Sequence, residues 1–326
     1  MDLLGIAENP IPRGPRAGFF RGADGAMLRY ARWRPSTPEC RGTVCLFSGR
    51  SEYIEKYFEV IEELRERGFA VATMDWRGQG RSQRMVANQT KGHIGSFKQY
   101  DTDLTAFMEQ VVLPDCPPPF FALAHSMGAN VVLRVMLDYA WFTRIVALAP
   151  LVDLASSPLR SRFIRGLVRF GSAMGLKKAF VPGAVPQPLG MGKFPGNKFT
   201  SDPLRYERAH KIMLEDPSLG VGGPTWGWLS AAYKAMAQLK DTEFPIAIKV
   251  PSLIVNAGLD RIVSNRATEL LVGHLPAGSL VTIEGARHEI LMEQEIFREQ
   301  FWAAFDAFVP GSGEEAHLLN SSNAEA

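Results

Sequence analysis

Between positions 43 and 149 of this 326-residue chain, strand-length apolar runs alternate with segments of helical period, and little else in the sequence restricts the fold as strongly. Thr43 to Phe47 (TVCLF) reads as a buried strand, and Tyr53 to Arg67 as a helix stopped by Gly68. Phe69 to Asp75 (FAVATMD) is a second strand, Phe97 to Leu113 a helix, Phe120 to His125 a third strand, Met127 to Tyr139 a helix and Ile145 to Ala149 a fourth strand. Strands that are apolar throughout need cover on both faces, and linking them through helices leaves them parallel. The pattern therefore predicts an α/β fold with a mostly parallel central sheet flanked by helices. Gly18 to Arg34 adds an antiparallel hairpin turning at Asp24-Gly25.

After Pro150 the rhythm stops. Leu154 to Leu239 has no convincing strand, several short helical patterns and many Gly and Pro. Alternation resumes with Ser252 to Asn256 (SLIVN), a helix from Arg266 to Leu275, Leu280 to Glu284 (LVTIE) and a last helix from Ile290 to Phe308. The core is thus interrupted: residues 1–153 and 240–310 form its two parts, 154–239 an inserted helical lid, and the small polar tail 311–326 is expected to be disordered.

Composition bounds the function. With 46% hydrophobic and 21% charged residues the chain is an ordinary globular protein, and 36 basic against 34 acidic side chains exclude bulk charge as a route to polyanions. Cys40, Cys45 and Cys116 are odd in number and lack CxxC spacing, which fits neither a disulfide framework nor a zinc site and points to a reducing compartment. Met1 to Arg16 carries acids and three prolines where an export signal needs a basic start and an apolar run. The two longest charge-free stretches, Cys116 to Leu133 and Pro217 to Tyr233, are broken by proline and glycine. The expected location is cytoplasmic, at most peripheral at the inner face of a membrane.

The third parallel strand ends in Ala124-His125-Ser126-Met127-Gly128, directly before a helical pattern. This is close to the G-x-S-x-G turn that lifts a serine clear of a sheet, where the positions two before and two after must be small because two backbones pass closely. Ala124 in place of the first glycine is a mild departure, and Ser126 as a plain helix cap is the alternative. A serine hydroxyl needs a base, and the base needs a third group to fix its tautomer. Asp260 follows the SLIVN strand and His288 the LVTIE strand, both at carboxyl ends, where open α/β sheets place their sites. Strand alternation turns His125 away from Ser126; His317 lies in the tail, His274 late in a helix and His210 in the lid. His93 is the remaining rival base, or else a loop brace, and Asp153 is the runner-up acid. Backbone amides must also meet the developing oxyanion. Met127 supplies one from the helix start, and Arg50, in the loop Ser48-Gly49-Arg50-Ser51-Glu52, the second, unless Arg50 merely pairs with Glu52.

With these motifs placed, residues 18 to 308 resemble the α/β-hydrolase subfamily that contains monoglyceride lipases and bacterial lysophospholipases. Beyond the three catalytic candidates, the likeness rests on Gly49-Arg50-Ser51-Glu52-Tyr53 with Lys56-Tyr57, on Asp75-Trp76-Arg77-Gly78-Gln79-Gly80-Arg81-Ser82 and on Gly92-His93-Ile94. Monoglyceride lipases usually carry His-Gly at the oxyanion loop, whereas Ser48-Gly49-Arg50 is more similar to the bacterial lysophospholipase version. The resemblance implies an α/β-hydrolase fold and ester hydrolysis through an acyl-enzyme, with Ser126 attacking, His288 as base then acid, and Asp260 orienting it. A lysophospholipid is the first expected substrate, a monoacylglycerol or another carboxylic ester the second, and acyl transfer to an alcohol or amine the rival from another class. No metal or organic cofactor is expected. Gly78-Gln79-Gly80 mimics a dinucleotide loop, but Gln83 stands where a third glycine is needed; Arg77 and Asp75 are read instead as braces.

The lid is strongly basic. Arg160, Arg162, Arg165, Arg169, Lys177, Lys178, Lys193 and Lys198 lie between Leu154 and Ser201 without one acid, so the rest of the chain carries −6 against a net +2. As a helix, Pro158 to Phe170 separates Leu159, Phe163, Leu167 and Phe170 from Arg162, Arg165 and Arg169, which suits an anionic membrane surface, a phosphate head group or simple solvation. Trp226, Trp228 and Leu229 either line an acyl pocket or belong to the core.

Overall fold

A computed structural model describes residues 3–309 except 157–162, 165, 169, 170, 172 and 173. The eight strands are β1 (Arg16–Arg21), β2 (Met27–Trp33), β3 (Thr43–Phe47), β4 (Ala70–Met74), β5 (Phe120–His125), β6 (Phe142–Leu148), β7 (Ser252–Ala257) and β8 (Gly278–Ile283). They form one sheet in the order β1-β2-β4-β3-β5-β6-β7-β8. β1 and β2 pair antiparallel, β2 meets β4 antiparallel, and all other neighbours are parallel. The hairpin turns where expected, with the Gly25 amide donating to Gly22 O.

The period of two along each strand explains why these runs are apolar throughout. Val44 and Leu46, Phe121 and Leu123, Val146 and Leu148, Leu253 and Val255 face one side of the sheet. There they meet Phe58, Ile61 and Leu64 of α1 (Phe58–Glu66). Cys45 and Phe47, Ala122 and Ala124, Ile145 and Ala147 face the other side. They pack with Leu104 and Phe107 of α2 (Lys98–Phe107) and with Val131, Val132 and Val135 of α3 (Met127–Val135). Both faces of these central strands are thus covered by helices, whereas the edge strands β1 and β8 stay largely exposed.

The expected helix Phe97 to Leu113 is α2 followed by a π-helical turn at Met108–Val112 and a last turn at Leu113–Asp115. Between β6 and β7 the described residues add no sheet strand. They contain α4 (Pro203–Glu215), whose first amides bond the Asp202 side chain, and α5 (Trp226–Leu239), capped by Thr225. The Pro158 to Phe170 helix, with its four arginines, and the tail from 311 fall wholly or largely outside the described residues. The chain closes with α6 (Asn265–Val272) and α7 (Glu295–Phe308), whose Phe301, Trp302 and Phe305 complete the α1 side. No helix among the described residues is long and apolar enough to cross a membrane.

This topology decides where a site can sit. From β3 the chain crosses to β4 on one side, and later to β5 on the other, so the loops leaving β3 and β5 part and open a crevice at their carboxyl ends. Ser48 to Ser51 and Ser126 lie at that opening.

Candidate active site

Ser126 occupies the turn between β5 and α3 with φ 50° and ψ −108°, a conformation that costs an L-residue about 1–3 kcal/mol. Its amide is tied to Leu148 O at 2.9 Å, and its carbonyl accepts from Asn130 N and Leu151 N. The turn is possible because Gly128 has no side chain: a Cβ there would stand 2.6 Å from the carbonyl oxygens of both Phe47 and Ser48. The Ala124 methyl is accommodated inside the core.

The loops after β7 and β8 bring the partners in. Leu259 N bonds Ala286 O, Ser264 N bonds Asp153 O and Ala155 N bonds Ile262 O, which fixes the acid loop on two sides. His288 Nε2 lies 3.0 Å from Ser126 Oγ, and His288 Nδ1 lies 2.7 Å from Asp260 Oδ2. Asp260 Oδ1 accepts from Ile262 N at 2.7 Å and Val263 N at 3.0 Å. Burial works to raise the Asp260 pKa, but the hydrogen bond and charge of His288 and the two amides outweigh it and hold the carboxyl below its usual range. Ser126 and His288 are 7% and 4% exposed. The constellation can hand the serine proton to an imidazole whose tautomer a carboxylate fixes.

The rivals are placed elsewhere. His93 Nδ1 lies 2.9 Å from Thr225 Oγ1 and braces the start of α5. Asp153 is held by Lys240 Nζ at 2.5 Å. Asp75 and Arg77 are braces as read: Asp75 accepts from Arg29, Ile54 N and Arg81 N, and Arg77 grips Asp24 and Asp103. Gly80, at φ 51°, leaves the room that the Asp75 carboxylate fills. Trp226 and Trp228 are core residues, each 6% exposed.

Among the described residues neither the Arg50 nor the Met127 amide has an intramolecular acceptor, which leaves both N–H groups able to donate to an anion in the crevice. The neighbouring Gly49 amide is spent on Glu52 Oε2. Three side chains hold this loop, and the sequence reading assigned none of them that task. Gln79 donates to Gly49 O and accepts from Ser51 N, and Trp76 Nε1 donates to Ser48 O. Buried Glu52 accepts from Gly49 N, Lys56 Nζ, Tyr57 Oη and His125 Nδ1, so the expected alternative of an Arg50–Glu52 pair is replaced. Only the generic i,i+4 spacing of Glu52 and Lys56 hinted at this in the sequence.

Residues 38–295 match the Hydrolase_4 family, described as serine aminopeptidase, S33. The chain belongs to this family of α/β-hydrolases. This S33 hydrolase is 31% identical over 292 residues to the lysophospholipase L2 of Escherichia coli K12, covering 86% of this chain and 83% of that one. It is 23% identical to a monoacylglycerol lipase of Mycolicibacterium smegmatis, over 85% and 91% of the two chains. Among solved structures it is similar to a soluble variant of the Saccharomyces cerevisiae monoglyceride lipase, with a TM-score of 0.71 and 20% identity over 91% and 96% of the chains. At that identity the structural likeness concerns the fold.

Proposed function

We propose that this S33 hydrolase cleaves the carboxylic ester of a single-chain lipid, foremost a lysophospholipid, through an acyl-enzyme. The unbroken chain of hydrogen bonds Ser126–His288–Asp260 carries the reading, and the name of the Escherichia coli relative supports the substrate class. Ser126 Oγ attacks the ester carbonyl while His288 Nε2 takes its proton. The tetrahedral oxyanion is met by the amides of Arg50 and Met127. His288 returns the proton to the departing glycerol oxygen, leaving Ser126 acylated; water, deprotonated by the same imidazole, then releases the fatty acid and restores the hydroxyl.

Residues 154–239 act in this proposal as a lid over the crevice. Hydrogen bonds from Arg287 to Asn197 O and Thr200 O and from Glu289 N to Phe199 O tie that segment to the histidine loop. Exposed Phe163, Leu167, Met174 and Leu176, in the same segment as exposed Lys177 and Lys178, favour contact with an anionic membrane surface, at the cytoplasmic face. Flotation with anionic against zwitterionic vesicles tests that contact.

A monoacylglycerol is the second reading, favoured by the Mycolicibacterium relative. The deciding experiment compares kcat/KM of the purified protein on lysophosphatidylcholine, a 1-monoacylglycerol of the same chain, p-nitrophenyl butyrate and an amino-acid p-nitroanilide. Turnover of the anilide alone overturns the ester reading. Fatty ester formed with added alcohol in place of free acid assigns the chain to acyl transfer.

A further inference from the structure

The half-buried guanidinium of Arg50 differs in its surroundings from those of the buried residues Arg29, Arg77 and Arg298. Arg29 is bound by Glu55 and Asp75, Arg77 by Asp24 and Asp103, Arg298 by Glu63 and Glu295. Arg50 has no carboxylate partner among the described residues. Its Nη1 donates to Ser51 Oγ at 2.9 Å, its Nη2 to Gly222 O at 2.7 Å, and its Nε is buried without an acceptor. The charge lies 4.8 Å from the centre of the Trp228 ring, a contact that favours a cation without neutralising it. Burial lowers the Arg50 pKa to about 10, with Tyr100 opposing, so the group stays charged at neutral pH.

This charge sits on the residue whose amide faces the oxyanion, in a loop that touches the nucleophile: a Cβ on Gly49 would lie 3.3 Å from Ser126 Cβ. Arg50 also borders a cavity of about 50 Å³ shared with Tyr53, Lys56, Arg205 and Glu289. There Lys56 pairs with Glu52 and Glu289, and Arg205 with Glu59, which leaves the Arg50 charge uncompensated. A partly buried cation lacking an anion is costly to keep unless an anion arrives with the ligand, and a planar guanidinium with free N–H groups matches phosphate oxygens.

We propose that Arg50 reads the phosphate of the substrate's head group, so that an ester whose leaving alcohol is a glycerophosphate is selected over a neutral glyceride. In such a lipid the three glycerol carbons separate the ester oxygen from the phosphate oxygen, a reach comparable to that of the Arg50 side chain from its own amide. The inference rests on the ester-hydrolase reading of the same site.

Two measurements test it. The ratio of kcat/KM for lysophosphatidylcholine over that for a 1-monoacylglycerol of equal chain is taken for the wild type, Arg50→Gln and Arg50→Lys. The ratio is expected to fall at least tenfold in Arg50→Gln and to recover in part in Arg50→Lys; an unchanged ratio, with both rates lowered together, makes Arg50 a loop strap and overturns the proposal. In the second, sn-glycerol 3-phosphate, glycerol and inorganic phosphate compete with p-nitrophenyl butyrate. Glycerol 3-phosphate is expected to inhibit the wild type at a concentration at least tenfold below glycerol, with the advantage lost in Arg50→Gln. No advantage in the wild type overturns the proposal without any variant, and inhibition by inorganic phosphate equal to that by glycerol 3-phosphate replaces head-group reading with a free-anion site. Arg50-dependent competition in a wild type that leaves lysophosphatidylcholine uncut keeps the phosphate site and removes the lysophospholipase reading instead.

Discussion

The Nε2 of His125 lies 3.1 Å from the main-chain oxygen of His288, while its Nδ1 lies 3.0 Å from Glu52 Oε2. A carbonyl and a carboxylate can only accept, so satisfying both requires a hydrogen on each ring nitrogen, and this setting favours the imidazolium form of His125. Burial opposes that charge, but Glu52 and, more distantly, Glu289 outweigh burial and Lys56, raising the His125 pKa. One carboxylate, Glu52, therefore fixes the Ser48–Ser51 loop through Gly49 N and the histidine loop through His125.

The sign of the resulting pH dependence follows from a native pKa above the ordinary value of about 6.5. The His125–Glu52 contribution to stability is complete below that value and is lost as pH rises through the raised one. Urea midpoints of wild type and His125→Gln between pH 5 and 9 are expected to differ most at the acid end and to converge with rising pH. A constant gap contradicts an imidazolium. Glu52→Gln should destabilise at pH 6 by about 3 kcal/mol, as breaking a buried ion pair does.

Ser126→Ala is expected to abolish labelling by a fluorophosphonate and to lower ester turnover by at least about a thousandfold, with the circular dichroism spectrum retained. Ser126→Gly removes the same hydroxyl and also the backbone strain at φ 50°. It should exceed Ser126→Ala in stability by about 1 kcal/mol. Thermal unfolding of the two inactive variants side by side isolates the cost of the turn.

Asp260→Asn should lower kcat by about 10⁴, because the amide can donate to His288 Nδ1 and impose the wrong tautomer. Asp153→Asn, whose partner is Lys240, is expected to stay within about threefold of wild type. Since the Asp260 pKa is depressed, its contribution to stability is present above the ordinary carboxylate value of about 3.9 and lost as pH falls through the lower native one. The stability gap between wild type and Asp260→Asn should accordingly close in acid.

Gly128→Ala places a methyl group against two carbonyl oxygens that belong to β3 and to the loop that follows it. Backbone cannot yield as a side-chain tip can, so a loss of about 3 kcal/mol is expected, together with a fall in kcat as the Ser48 loop is displaced. Gly128→Ala with wild-type midpoint and rate would show that the two backbones have room to part.

Much of the architecture was legible before any coordinates. Period-two burial on two covered faces forces continuous apolar strands, so β3, β5 and β7 could be placed within a residue of their ends. Ser126, Asp260 and His288 could be chosen because a parallel sheet delivers the ends of its strands to one rim, whatever the loops between them do. Contacts between loops carry no such period. That His125 grips the backbone of His288, 163 positions away, or that Arg50 reaches Gly222 across 172, depends on register, loop path and the room left by glycines. The sequence by itself determined which central strands would be buried and which loops would share the rim; tertiary structure alone decided the partners, because a strand's burial follows a local periodic pattern whereas a hydrogen bond needs two distant groups placed to within a few tenths of an ångström.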